Sequence, residues 1–282
     1  MTESPCHLPT HGSLPVCRVG VNFRFKLKDT KPSTKRRLFL CSHTPLLRIL
    51  PPMSPETWYA DLHTHTIDSY DCSTPLDNVI EGCLANGVNC LGVTDHDTIE
   101  LALELAERAP FPVIVGEEIT AREGQIMGYF LHEVIPPGLS TEETIAAIHE
   151  QGGLVCMPHP FCRLIPSRTK ESVTRALVDQ IDIFEVANAR NPLSRDDRRA
   201  VEFAERHNKP VSAGSDSHRA CEFGRTGVEL PPFETPMEFL ESLRQGRIVV
   251  RAKTSFVWGI ITNEWSRTKK RLRFFNKTKP RA

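Results

Sequence analysis

Between residues 59 and 250 the chain alternates short apolar runs with amphipathic stretches that carry helix-boundary signals. The runs at 59–62, 90–94, 113–115, 126–131, 154–157, 183–186, 211–213 and 248–250 are strand-length and rich in Val, Ile and Leu. Between them lie helical patterns. Thr74-Pro75 opens a helix that ends near Gly87, and a Leu/Ala/Glu helix spans 99–108. Ser140-x-x-Glu143 is a capping box for a helix that stops at Gly152-Gly153. A helix covers 194–207, and Thr235-Pro236-x-Glu238 starts another. Six or seven β-then-α units in about 190 residues predict a parallel sheet rolled into a closed or nearly closed barrel. No internal repeat is visible.

The patterning fails at both ends. Residues 1–52 contain Pro, Ser, Lys and Arg without a period of 2 or 3.6, so they are expected to be a disordered extension. They read as a flexible tail, or as sequence upstream of a true start at Met53; no organised apolar or Arg-bearing amphipathic segment supports a targeting peptide. Residues 256–282 mix Trp265, Phe274 and Phe275 with Lys269, Lys270, Arg271 and Arg273. They are expected to be a frayed basic aromatic tail, with contact to nucleic acid or anionic membrane as the lesser alternative. The domain is therefore placed at 53–255.

Charge sharpens this division. The 35 basic and 35 acidic residues of the 282-residue chain cancel. Region by region, however, residues 1–52 carry +7, 53–264 carry −15 and 265–282 carry +8. An acidic body is the wrong composition for a surface that binds phosphate backbones through side chains alone. If it handles phosphate, other cations must contribute. The nine cysteines form no C-x-x-C pair, which argues for reduced thiols and a cytoplasmic location. No apolar run reaches the roughly 18 residues of a spanning helix.

The candidate chemistry sits where the apolar runs end. His63-Thr64-His65 follows the first run, with Asp71 beyond it, and Thr94-Asp95-His96-Asp97 follows the second. Gly116-Glu117-Glu118, His159-Pro160, Glu185 to Arg190 and Gly214-Ser215-Asp216-Ser217-His218 close later runs. In a parallel β/α barrel the strand C-termini share one rim, so these groups converge. His-x-His at a strand end sets two imidazoles on one side of the chain. His63, His65, Asp71, His96, Glu118, His159, Asp216 and His218 make eight N/O ligands, suited to two or three ions of Mn, Zn or Fe and unlike a structural zinc–thiolate site. A lone histidine is more often a hydrogen-bonded core residue. His149 and His207 belong to helices, His132 follows a strand-like segment, and Cys72 and Cys156 read as small buried hydrophobes.

In this order, D-L-H-T-H-T (61–66), S-Y-D (69–71), T-D-H-D (94–97), G-E-E-I (116–119), H-P (159–160), E-V-x-N-A-R (185–190) and G-S-D-S-H (214–218) resemble the motifs of the polymerase and histidinol phosphatase (PHP) family of metal-dependent phosphoesterases. The resemblance covers residues 59–252. It implies a distorted seven-stranded TIM-like (β/α)7 barrel with a two- or three-metal centre on its C-terminal rim. It also implies that His63, His65, Glu118 and Asp216 hold one ion, Glu118 and His159 a second, and Asp71, His96 and His218 a third. Many members of that family carry a further metal-binding histidine in an H-x-x-G context, where this chain has Gln125-Ile126-Met127-Gly128. Only 41 residues separate Glu118 from His159, too few for the inserted domain of the family's nucleotide and short-RNA phosphatases.

The leading expectation is hydrolysis of a phosphate ester, on a phosphorylated small molecule or nucleotide, by a metal-activated hydroxide. Arg190 and Arg225 would grip the phosphate through their guanidinium forks, and Asp216 or His218 would carry a proton to the leaving group. Two alternatives remain open at this point. A metal-dependent amidohydrolase would use the same hydroxide on a carbonyl carbon and would not need the arginines. A non-catalytic, metal-stabilised binding module would not need so complete a ligand set.

Overall fold

The computed structural model describes residues 57–255, 259, 261 and 263–270. It contains nine strands in one mixed sheet, ordered β7-β6-β5-β4-β3-β2-β1-β8-β9. These are β1 (Trp58–Thr64), β2 (Cys90–His96), β3 (Val113–Ala121), β4 (Gly124–Tyr129), β5 (Leu154–Met157), β6 (Ile183–Asn188), β7 (Val211–Gly214), β8 (Thr226–Leu230) and β9 (Arg247–Val250). The helices are α1 (Leu76–Ala85), α2 (Glu100–Arg108), α3 (Thr141–Glu150), α4 (Glu171–Ala176), α5 (Ser194–Arg206) and α6 (Pro236–Gln245). The C-terminal end of β1 meets the backbone just past β7. Asp216 N donates to His63 O at 2.8 Å, and His65 N donates to Ser217 O at 3.0 Å. The sheet thus curls into a nearly closed barrel.

The pattern marks eight strand-length runs and the family resemblance implies a seven-stranded barrel; nine strands are found among the described residues. The pairs β1/β2, β2/β3, β5/β6 and β6/β7 are parallel, as β/α units require. β4 is antiparallel to both neighbours, because only Arg122 and Glu123 separate it from β3 and two residues can close a hairpin but not a crossover. β8 and β9 form an antiparallel pair on the N-terminal half of β1. β8 lies between the runs at 211–213 and 248–250, where the pattern marks no strand.

Most helix signals act as anticipated. Ser140 Oγ accepts from Glu143 N while the Glu143 side chain returns to Ser140 N, completing the capping box on α3. Thr235 caps α6, with Pro236 in its first turn. α1 differs: Pro75 is its N-cap, and the Thr74 hydroxyl instead donates to His218 O at 3.1 Å, joining this helix start to the loop after β7. The core lies between strands and helices. Ile119, Ile126, Val155 and Phe184 from the sheet pack with Ile145, Ile148 and Phe203 from α3 and α5. Tyr59, Leu91 and Val93 pack with Val79, Ala102 and Leu105 of α1 and α2.

Among the described residues no helix is long and apolar enough to cross a membrane. Residues 1–52 lie outside the described residues. Part of the expected C-terminal tail does not fit that description: residues 263–270 are helical and pack on the loop after β1. The basic residues there are spaced along a helix face rather than spread along a solvated strand.

Candidate metal centre

All eight expected ligands come together, buried, at the C-terminal ends of the strands. His63 is the penultimate residue of β1 and His65 follows the strand; His96 ends β2, Glu118 lies within β3, and His159 follows β5. Asp216 and His218 lie on the loop after β7, and Asp71 on the loop after β1. The Nε2 atoms of His63 and His65 are 3.2 Å apart. Glu118 Oε2 lies 3.4 Å from His63 Nε2, 3.5 Å from His65 Nε2 and 3.3 Å from His96 Nδ1, while its Oε1 is 3.2 Å from His159 Nε2. Asp216 Oδ1 is 3.4 Å from His65 Nε2. His96 Nε2 and His218 Nε2 are 3.6 and 3.1 Å from Asp71 Oδ1.

These spacings fit a shared divalent cation. Donors that each sit about 2.0–2.2 Å from one ion are separated by roughly 3.0–3.5 Å. His218 Nε2 and Asp71 Oδ1 make the case most clearly: they are close, both are buried, and neither has a hydrogen-bond partner. Within 4.8 Å, ligand atoms group as His65/His96/His218, His63/His65/Glu118 and His63/His159/Asp216.

The other ring nitrogens identify the tautomers. His63 Nδ1 lies 3.0 Å from Glu185 Oε1, and His218 Nδ1 lies 3.0 Å from the Asp216 carbonyl, so both Nδ1 atoms carry the proton. His65 Nδ1 is 3.0 Å from Ser69 Oγ, whose hydroxyl donates to Asp95 Oδ1 at 2.6 Å. That arrangement leaves Nε2 as the ligand atom in all three, the pattern of metal-bound histidines held by an outer acceptor.

The electrostatics follow from so much charge in a dry place. Burial opposes charge on His63, yet Glu185, Asp216 and Glu118 hold its imidazole well above the ordinary range. Burial opposes charge on His96 too, but Glu118 and Asp71 push it up to about 9. Burial, reinforced by charge on His218 and His96, drives His65 down to about 3. Against the same burial, neighbouring imidazoles hold Glu118, Asp71 and Asp216 below the carboxylate range, with Arg190 adding to the pull on Asp216. His159 and Asp216 also sit at positive φ, 31° and 50°, a conformation that costs an L-residue about 1–3 kcal/mol and is characteristic of functional sites.

A surrounding layer of residues, to which the motifs alone assign no task, holds the cluster. Glu185 Oε2 accepts from His159 N at 2.7 Å, so one carboxylate braces two candidate ligands. Asn188 Nδ2 donates to Glu185 and to Asp216 Oδ2 at 3.3 Å. Asp61, raised to about 7 by burial, accepts from Ser215 N and Gly224 N, both at 2.8 Å, and fixes the loop that carries Asp216. Asp95 accepts from Thr66 N at 2.6 Å. For Asp61 and Asp95 the available signal was a polar residue one or two positions from a ligand in the same motif; Glu185 and Asn188 share their motif with no ligand.

Gln125 faces the cluster: it is 4% exposed, and its Nε2 is 3.4 Å from His96 Nδ1. A cavity of about 250 Å³ opens over the cluster, with Arg190, Gln125, Tyr70 and Arg267 among its lining residues. Arg190 Nε donates to the Asp216 carbonyl at 2.6 Å. Arg225 is not part of that lining; its guanidinium donates to Thr254 Oγ1 at 3.0 Å and lies 3.7 Å from Glu222. Of the two arginines expected to grip phosphate, only Arg190 lines this cavity, although both lie 3.7 Å from Glu222. Cys72 and Cys156 have thiols raised to about 12 by burial, consistent with packing rather than nucleophilic roles. His132 and His149 are exposed, and His207 caps the C-terminus of α5.

Comparison with known proteins gives concordant results. Residues 195–248 match a family described as PHP-associated. An uncharacterized protein of Methanocaldococcus jannaschii, MJ1587, is 38% identical over 125 residues, covering 39% of this chain and 73% of that protein. The crystal structure of a two-domain protein from Bacteroides vulgatus, containing a predicted PHP-like metal-dependent phosphoesterase, superposes with a TM-score of 0.56 at 19% identity. That match covers 69% of this chain, which spans only 65% of the two-domain protein. The lesion-specific endonuclease PfuEndoQ of Pyrococcus furiosus matches with a TM-score of 0.54 at 18% identity, over 71% of this chain and 60% of its own.

Proposed function

The chain belongs to the PHP family, and on that premise we propose that it is a divalent-metal-dependent hydrolase of phosphate esters. The observation that carries the reading is the convergence of five imidazoles and three carboxylates beneath one cavity, with unpartnered donor atoms facing one another. His63, His65, Glu118 and Asp216 would hold one ion, Glu118 and His159 a second, and Asp71, His96 and His218 a third. When bound, such ions acidify water and neutralise charge on phosphoryl oxygens. Mn, Zn and Fe all suit this imidazole–carboxylate set.

The remaining work falls to side chains. Arg190, only 13% exposed and held by Asp216 O, offers a guanidinium to the phosphate from a fixed position, so little orientation has to be found on binding. Glu185 and Ser69 keep His63 and His65 in the tautomers that present Nε2. Asp216 and His218 both line the cavity; Asp216 is the group that would move a proton to the leaving oxygen, because both ring nitrogens of His218 are already committed. The modest cavity favours the phosphorylated end of a small molecule or nucleotide. A nucleic acid substrate, as the name of the Pyrococcus protein indicates for that enzyme, is the competing partner.

The test is a hydrolysis screen of the metal-reconstituted full chain against phosphomonoesters, phosphodiesters, oligonucleotides and cyclic imides. Release of phosphate or of an alcohol from an ester, lost in Arg190→Ala through a raised KM, is the expected result. Turnover of the imide alone would replace this reading with an amidohydrolase.

A further inference from the structure

The C-terminal helix plays no part in the reaction just described, yet it touches the metal centre. Asn263, Arg267 and Lys270 are spaced i, i+4 and i+7, so they share one face, and that face meets the loop after β1. Lys270 Nζ donates to the carbonyls of Ile67 and Ser69 and anchors the helix. The Arg267 guanidinium lies over the Tyr70 ring, 5.0 Å from its centroid, and Tyr70 in turn stacks on His96 with ring centroids 4.5 Å apart and planes 17° apart. Asn263 makes the most informative contacts. Its Nδ2 donates to Asp71 Oδ2 at 3.1 Å, and its Oδ1 accepts from Arg190 Nη2 at 3.2 Å.

Asp71 is therefore divided between two tasks. Oδ2 is held from the C-terminal side by Asn263, with Arg267 Nη2 3.6 Å away. Oδ1 is left facing His218 Nε2 and His96 Nε2 without a hydrogen bond of its own. Ligating carboxylates characteristically use one oxygen for the ion while an outer group fixes the other. The same asparagine also holds the arginine offered to phosphate, so one amide links the ligand to the cation on the substrate side.

We propose that Asn263 and Arg267 are positioning residues: they orient Asp71 toward the ion shared with His96 and His218, and Asn263 additionally holds Arg190. The inference rests on reading that triad as a metal site, and it makes the C-terminal helix a working part of the centre rather than a tail.

The experiment uses the full chain, stripped by chelation and titrated with Mn²⁺ against a competing chelator. Wild type is compared with Asn263→Ala, Asn263→Asp, Arg267→Ala and the exposed same-helix control Thr268→Ala. Asn263→Ala and Arg267→Ala should each weaken one class of ion about 10–100-fold and leave the others unchanged, the usual consequence of losing an outer partner. Thr268→Ala should match wild type. Asn263→Asp separates the two contacts: it removes the donor to Asp71 and sets a like charge beside it, yet keeps an acceptor for Arg190. It should therefore bind metal at least as weakly as Asn263→Ala. At saturating Mn²⁺ it should keep the wild-type KM for the best phosphate ester, whereas Asn263→Ala raises it. Should an Asn263 variant fail to fold, Arg267→Ala carries the metal arm alone. Wild-type isotherms in both alanine variants would overturn the inference while leaving the phosphoesterase reading intact. A wild type that binds no ion would overturn both.

Discussion

At the scale of single residues, the account turns on which atoms face the cluster. His63 presents Nε2 to His65 and Glu118 while Glu185 holds its Nδ1. His63→Ala should remove at least one ion per chain, read by elemental analysis. Glu185→Gln, which keeps the shape but loses the charge, should weaken ion binding about 10–100-fold without unfolding the chain. Gln125 allows a change in the opposite direction. It lines the cavity beside His96, and carboxamide is a poorer ligand than neutral imidazole for first-row divalent ions. Gln125→His should tighten one ion in a metal titration of the chelated protein, and superimposable curves would show that this position does not reach an ion. The eight candidate ligands were legible because each interrupts or follows an apolar run, where a polar group has no packing reason to be. Glu185, Asn188 and Asp61 were harder to assign, since a buried carboxylate that braces a ligand looks, along the chain, like a ligand or like any strand-end polar residue.

At the scale of elements, the centre depends on how tightly β1 meets the end of β7. A Cβ on Gly214 would fall 2.3 Å from His63 Cβ and 2.5 Å from His63 N, so only glycine permits this approach. Gly214→Ala should cost about 1–3 kcal/mol in denaturant unfolding and should also weaken metal binding, because His63 must shift. Ser140→Ala provides the contrast. Loss of the α3 capping box should cost about 1 kcal/mol and leave metal binding untouched, since that helix start lies away from the cluster. The alternation of apolar runs with capped helices was enough to find most strands and to place the motifs at their ends. It did not reveal direction: the two-residue connection between β3 and β4 forces a hairpin, which periodicity cannot distinguish from a short βα unit. β8 escapes the pattern because its Thr-Gly-Val-Glu-Leu run is short and broken by glycine, although its alternation is that of a strand. The helix at 263–270 was hidden for another reason. Its packing face is polar, built from Asn263, Arg267 and Lys270, and an apolar stripe is what sequence patterning detects.

At the scale of the whole molecule, an acidic body gathers eight ionisable ligands in a buried cluster, and divalent ions would offset the negative charge. Ions that bind only the folded state stabilise it by mass action, by about 2.7 kcal/mol at a hundredfold excess over Kd. Chelation of the purified chain should therefore lower Tm by about 5–10 °C, and restoring Mn²⁺ should reverse the change. The measurement closest to the central claim combines binding and chemistry in one sample: the chelated full chain is titrated with Mn²⁺ while bound ions per chain and product released from the best phosphate ester are recorded together. The account predicts no release without metal, a rise in step with the binding of two or three ions, and a flat response in His63→Ala. Equal hydrolysis by the metal-free chain, or failure to bind any ion across the titration, would contradict it.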